Sequence, residues 1–419
     1  MIKHFIKSNP VFIFAGIAAS FSMFFVPPNA GYISYIDFRT IVILLSQLMI
    51  IEGLMESGVF DFLSGKIVKR FQDTRSLSSM LILMCFFISM LVTNDVSLIS
   101  FVPLTIILLE KIKDDNLMIF VIVLETIAAN LGSMLMPFGN PQNLFLFNIS
   151  GISGLEFIML MLKYTAVSLV LILICCIFIP KKNLAGIKDV SMPSSAENIL
   201  NSDDNIFSSI DKGAENQIHG AKSEKQIHGA NLDNSIQKKS TIQSKSSMKK
   251  NLEIIGSIIL LTICILTVFH IGNEWILIAL CVGFFLIIDR AVLKNVNYIL
   301  PLTFMEFFIL TGNIKALPQF SETLSRFITG HEMITGVLLS QIISNVPAAM
   351  LLSSFTDNYK ALIIGTDIGG LGTLIASMAS LISFQFYSSE ENSRPGKYLL
   401  VFTLMNVIFL IVLLLMSKI

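Results

Sequence analysis

Apolar residues fill this chain in long runs, and the polar residues that interrupt them recur in matched places. Residues 11–26, 157–179, 252–269 and 398–416 are apolar runs that approach or exceed the roughly 20 residues that cross a bilayer as helix. Two other runs are split by short polar breaks, Thr93-Asn94-Asp95 and Ser344-Asn345-Val346-Pro347, each between two apolar arms. Each break is followed by a glycine-rich interruption, Asn130-Leu131-Gly132-Ser133 in the first half and Gly370-Leu371-Gly372-Thr373 in the second. Backbone N–H and C=O groups cannot stay unpaired in lipid, so broken helices persist only where protein or a wet cavity covers them. The pattern predicts an all-α polytopic membrane protein of two inverted repeats, each with a re-entrant hairpin and a broken transmembrane helix.

Three segments follow: a first membrane repeat over 1–180, a hydrophilic linker over 181–250, and an extra span plus the second repeat over 251–419. The linker is rich in Ser, Asn, Lys, Asp and Gln, too polar to fold on its own. It contains a short duplication, QIHGA at 217–221 and 226–230, whose His219 and His228 read as incidental rather than metal-binding. Residues 37–68 can be laid on 297–328 as one span each, and the arms at 77–109 on those at 333–355. Neither pair of arms spans the hydrocarbon comfortably, so both are read as hairpins with polar tips near the midplane. Broken spans follow at 117–149 and 361–387.

Four crossings per repeat would leave the repeats parallel. The unpaired span at 252–269 shifts the parity and inverts the second. The expected topology is nine crossings and two hairpins, with the N-terminus and linker cytoplasmic and the C-terminus outside. Basic residues agree. The cytoplasmic segments then hold Lys3, Lys7, Lys66, Lys69, Arg70, Arg75, Lys111, Lys113, Arg290, Lys294, Arg394 and Lys397; the outside holds Arg39, Lys315, Arg326, Lys360 and Lys418. Counting every hairpin arm as a full span is the main alternative.

Composition narrows the class. With 54% hydrophobic and 14% charged residues, and a mean hydropathy of +0.76, a soluble globular chain is excluded. A net charge of zero says nothing about partners, and without a basic face carrying interleaved aromatics nucleic-acid binding has no support. The five cysteines lie in apolar runs with no zinc or disulfide spacing. The early lysines precede an apolar run with no small-residue cleavage site at 25–28, which predicts an uncleaved first span. No HExxH, GxSxG or serine–histidine pairing lies in the spans. An enzyme is not expected, nor a resident cofactor or metal.

The chemistry is expected at the breaks. An intramembrane carboxylate is costly unless paired, protonated or hydrated, so Asp95 is a candidate for binding H+ or Na+. It can equally cap the second hairpin arm, and both roles can hold at once. Asn94 offers a donor and an acceptor. At the other tip, Pro347 suits the first turn of a helix, whose free N–H groups would face Ser344 and Asn345. The first glycine break runs on through Gly139, Asn140, Gln142 and Asn143, with too many helix breakers for an intact span. Unwound carbonyls there suit a cation, and the helix start that follows suits an anion. Glu125 and Asp367 precede the two breaks at similar depth and are further candidates for coupling.

These residues resemble the ion-transporter superfamily: arsenite and sodium/proton-antiporter permeases (ArsB/NhaD type), citrate-transporter-like permeases and divalent-anion:sodium symporters. Thr93-Asn94-Asp95 is similar to the Asn-Asp hairpin tip of the arsenite type. Ser344-Asn345 matches the start of the symporters' Ser-Asn-Thr tip, from which Val346 departs. Residues 130–143 are similar to the group's glycine-rich break ending in Pro-Pro-Asn, with Gln142 in place of the second proline. The resemblance implies a scaffold domain, often dimeric, and a transport domain that moves like an elevator. It also implies Na+ or H+ coupling at Asn94, Gly132, Asn345 and Gly372.

The expected function is secondary transport, across the inner or plasma membrane, of a small anion, citrate-like carboxylate or arsenite, coupled to H+ or Na+. A small anion, Na+ or H+, the bilayer and a homodimer partner are the expected partners. A Na+/H+ antiporter, a passive anion channel and a membrane sensor retaining the fold are the competing readings.

Overall fold

The computed structural model of the chain describes residues 9–60, 71, 73–110, 112–183 and 232–417. The duplicated QIHGA segment with His219 and His228, and the basic residues Lys3, Lys7, Lys66, Lys69, Arg70, Lys111 and Lys418, lie outside the described residues.

Among the described residues every named element is helical. The first half contains α1 (Pro10–Ser22), α2 (Phe38–Glu56), α3 (Thr74–Leu91), α4 (Asn94–Glu110), α5 (Asp115–Ser133), α6 (Pro141–Ser150) and α7 (Gly154–Ile177). The second contains α8 (Leu232–Val268), α9 (Glu274–Ile288), α10 (Arg290–Asn295), α11 (Ile299–Lys315), α12 (Pro318–Ile328), α13 (Glu332–Ile343), α14 (Asn345–Ser353), α15 (Tyr359–Ile368), α16 (Met378–Ser388) and α17 (Pro395–Met416). Six are long and apolar enough to cross a membrane: α2, α3, α5, α7, α17 and the Lys250–Val268 part of α8. The helix carrying the extra span thus starts at Leu232, inside the stretch read as linker.

Side-chain contacts give the helix directions without reference to a bilayer. Asn295 Nδ2 donates to Glu56 Oε1 at 2.6 Å, joining the end of α2 to the approach of α11. At the other end Gly312 of α11 lies against the Tyr35 ring, just before α2 starts. Helices α2 and α11 are therefore antiparallel. As the first well-buried helix of each repeat, they make the two repeats inverted. The preceding helices cross over: α1 runs parallel to α11, with Gly16 against Glu306 and Asn313 Nδ2 donating to Ser22 Oγ at 2.8 Å. Likewise α9 runs parallel to α2, from the Arg39–Glu274 ion pair at 3.2 Å to Phe285 against Gly53. Each repeat thus contributes a short apolar helix to the other.

Two expectations need correction. The arms of the first hairpin are 18 and 17 residues long, roughly 27 and 26 Å of helix. They start earlier than the apolar run because Asp73 caps α3, accepting from Ser76 N at 3.0 Å. Consequently α3 alone is long enough to cross, whereas α13 and α14, at 12 and 9 residues, are not. Residues 297–328 are not one span. Pro318 cannot continue α11, and α12 leaves the preceding helix at 102° with Phe320 and Phe327 exposed.

Charged side chains collect at the two ends. Arg75, Lys182, Arg394 and Lys397 sit together around the starts of α3, α5 and α17, bound to Ile179 O, Asp114, Asp115 and Asn116. The Lys182 hydrogen bond holds the Asp114 carboxyl below the usual carboxylate range. Arg39–Glu274 and Lys360–Glu156 lie at the opposite end.

Candidate functional site

The polar tips are where two helices meet head to tail. Leu91 ends α3, and Thr93 Oγ1 accepts weakly from Val96 N at 3.4 Å as α4 opens at Asn94. In the second half Ser344 takes φ 78°, reversing the chain between α13 and α14. Each tip asparagine accepts from the next backbone N–H: Asn94 Oδ1 from Asp95 N, and Asn345 Oδ1 from Val346 N, both at 3.0 Å. This shared local geometry explains why both tips need Asn. Its short amide satisfies the first free N–H of a helix with no preceding turn.

The glycine breaks dock against the hairpins by backbone contact. A Cβ on Gly132 would lie 2.0 Å from Phe86 O of α3, so only glycine lets α5 come this close. Gly372, at φ +113°, packs on the Gln341 side chain. Gln341 staples the second break: its Nε2 donates to Gly369 O and Leu371 O at 2.9 Å, and its Oε1 accepts from Thr373 N at 2.8 Å. Thr373 Oγ1 returns a bond to Gln341 O at 3.0 Å. The first break is held by Gln47 of α2, whose Nε2 donates to Val92 O at 3.0 Å and Phe138 O at 2.7 Å.

Between the tips lies a cleft of about 90 Å³. Its wall includes Asn94 and Asp95, Pro141 and Gln142, Ser344 through Pro347, and Ser377 with Met378. Asn9, Phe12, Asn297, Ile299 and Thr303, at the beginnings of α1 and α11, complete it. Six helix N-termini, α1, α4 and α6 from one half and α11, α14 and α16 from the other, therefore meet at one cleft. Each carries roughly half a positive charge, and the caps already take Asp95 N, Val96 N, Asn143 N and Val346 N. No Lys, Arg or His lines the cleft among the described residues. Among the described residues the one acidic group there, Asp95, sits in the first turn of α4.

Behind the wall, Asn130 joins the halves: its Oδ1 accepts from Asn94 Nδ2 and Ser377 Oγ, both at 3.0 Å. Ser133 and Gly139 shape the turn into α6, with Asn140 Nδ2 near Ser133 Oγ at 3.4 Å. Asn140 caps α6, accepting from Asn143 N at 2.9 Å, and also donates to Asp367 Oδ1 at 3.0 Å. Gly370 faces Asn345 Nδ2. The structure so gathers Thr93, Asn94, Asp95, Asn130, Ser133, Asn140, Asn143, Ser344, Asn345 and Asp367 in one neighbourhood. Glu125 stands apart. It is fully buried between α4 and α5 and accepts from Thr105 Oγ1 at 2.5 Å. That is about 16 Å of helix rise beyond Asn94.

Sequence reasoning passed over Gln47, Gln341 and Ser377. The first two had a signal, a lone glutamine inside an apolar run. Ser377 had none, because its partner Asn130 is distant in sequence.

Comparison with known proteins settles the class. The sequence matches the citrate transporter family over residues 4–360. The chain belongs to that family. It is 30% identical to the inner membrane protein YbiR of Escherichia coli, over 90% of this chain and 87% of the relative. It is 31% identical to an uncharacterized transporter of Methanocaldococcus jannaschii, over 92% and 90%. A Dictyostelium discoideum protein bearing the transporter name arsB is 26% identical over 30% of this chain and 22% of its own. A multi-pass membrane transporter of the citrate type, not an enzyme, is what family and fold together establish.

Proposed function

We propose that the protein is a secondary active carrier of a small anion, a citrate-like carboxylate or an oxyanion such as arsenite, driven by H+ or Na+. The observation that carries this reading is the convergence of six helix N-termini on a cleft that, among the described residues, has no basic side chain. Such ends bind anions through N–H groups and dipoles, and they demand no counter-charge that would trap the ligand. The tip amides of Asn94 and Asn345 add donors and acceptors from opposite repeats, the symmetric clamp expected of alternating access.

Asp95 gives the cleft its need for a cation. A carboxylate beside an anionic ligand repels it unless H+ or Na+ neutralises one of them, so anion and cation enter together. The cleft is walled by the starts of α1 and α11, which lie at the end where Arg75, Lys182, Arg394 and Lys397 cluster. On the positive-inside rule this is a cytoplasm-facing arrangement in the inner membrane. Elevator-like motion of the hairpins and breaks against α1, α2, α9 and α11 would expose the cleft to the other side. Gln47 spans that boundary.

Replacing Asp95 by Asn in proteoliposomes tests the assignment. Exchange of labelled citrate, succinate or arsenite should persist, while its dependence on the Na+ or pH gradient should disappear. Unchanged gradient dependence would sink the role given to Asp95.

A further inference from the structure

We infer that Asp367 is a second cation site, outside the cleft, that holds an exchangeable proton and reports its state to the cleft through Gln142. The inference rests on the carrier reading above. Asp367 is buried, at 3% exposure, at the end of α15. Its Oδ1 accepts from Asn140 Nδ2 at 3.0 Å and Gln142 Nε2 at 3.4 Å. Its Oδ2 is equally buried and has no partner. The Oδ1 atom of Asn143, whose side chain is within reach of the Asp367 carboxyl, is also buried and without a partner.

With the Asn143 oxygen facing the carboxyl, two buried acceptors meet, an expensive arrangement in a membrane interior; with the amide turned over, its nitrogen donates to the charged carboxylate instead. A proton on the acid selects the first arrangement. On Oδ2 it makes the carboxyl a donor to the Asn143 amide, while Oδ1 keeps its two amide donors. A metal ion would need a fuller oxygen shell than these two atoms give. The surroundings also favour exchange over permanence. Asp367 is at the negative end of α15, which disfavours its charge, but at the positive start of α6, which favours it. The side chains that α6 turns toward it are the amides of Asn140, Gln142 and Asn143, and among the described residues no charged group of a packed element acts on it.

The link to the cleft is Gln142, which touches Asp367 and lines the cleft. Loss of the proton puts a full charge on the carboxylate and draws both amide donors inward. Gln142 is then less free to contact an anion. Protonation and anion binding therefore favour each other. The site also bridges the repeats, since α15 belongs to the second and α6 to the first.

The test is difference infrared spectroscopy of the purified full-length protein during pH titration without substrate, beside equilibrium exchange of labelled citrate at matched pH on both sides. Asp367→Asn keeps the shape and imitates the protonated acid, so it should fold. It should remove one protonated-carboxyl band, and Asn143→Ala should shift that band. In exchange, the wild type should slow as pH rises and Asp367→Asn should be flat. A band unaltered in both variants, or an unchanged pH profile, overturns the inference. Absence of citrate exchange by the wild type at every pH would refute citrate as the carried anion, while the infrared result still decides whether Asp367 holds a proton.

Discussion

Gly132→Ala is the sharpest perturbation of the hairpin–break contact. The new methyl would sit 2.0 Å from Phe86 O and 2.6 Å from Ser89 Oγ. The carbonyl is fixed in the α3 backbone, so it cannot turn away as a side chain could. Restoring an ordinary contact of 3.4 Å or more requires α3 and α5 to separate by over an ångström along their closest approach. Overpacking of this kind costs about 1–3 kcal/mol. The same displacement would pull Asn94 away from Asn130, whose bond at 3.0 Å connects tip to break. Gly283→Ala is the control, because nothing lies within 4 Å of its Cβ and a helical Gly→Ala change is neutral to stabilising. Thermal unfolding in detergent and citrate uptake into vesicles read the effect. Gly132→Ala should lower the unfolding midpoint by several degrees and abolish uptake, with Gly283→Ala like the wild type. Wild-type stability and flux in Gly132→Ala would refute the argument that this backbone approach holds the tip in place.

Other outcomes follow from the same geometry. Gln341→Ala should destabilise by roughly 1–3 kcal/mol, since it strands backbone groups at Gly369, Leu371 and Thr373; the unfolding midpoint and uptake check this. Gln47→Ala frees Val92 O and Phe138 O, should likewise destabilise by roughly 1–3 kcal/mol, and should raise the crosslinking rate between positions on α2 and α6. A crosslinking rate equal to the wild type's would count against a mobile boundary there. The Asp114 carboxyl, held low by a Lys182 side chain that is nearly half exposed, should give under about 1 kcal/mol. Because its folded-state value is depressed, that contribution is present at neutral pH and is lost as pH falls through the depressed value. Lys182→Ala should accordingly lower the unfolding midpoint slightly at pH 7 and leave it unchanged in strong acid.

The broad plan was legible in the sequence because a membrane punishes polar atoms. Asn94, Asp95, Ser344 and Asn345 stand out only because their flanks are so apolar. The glycines at 132 and 372 were visible for a similar reason, though not what they touch. What remained hidden is set by tertiary contact. Nothing local says that α6 begins beside Asp367, or that Ser377 reaches Asn130. Counting crossings implied inversion, with the basic residues in agreement, whereas the contacts of Glu56, Tyr35 and Gly16 give it directly. The bend after Leu317 was marked by Pro318 and read past, because the apolar run before it was long enough to suggest an unbroken span. The first hairpin's length was underestimated for the opposite reason, since a polar cap and Thr74 to Ser76 extend α3 beyond its apolar residues.

The central claim is that the two repeats form one cleft that carries an anion together with a cation. Its most direct test is uptake of labelled citrate, succinate and arsenite into proteoliposomes under imposed Na+ or pH gradients, with an internal pH dye in the same vesicles. Accumulation of one anion above its outside concentration, abolished when the gradient is collapsed, is the predicted result. A dye response to Na+ without anion uptake, or anion flux that only equilibrates, would contradict it.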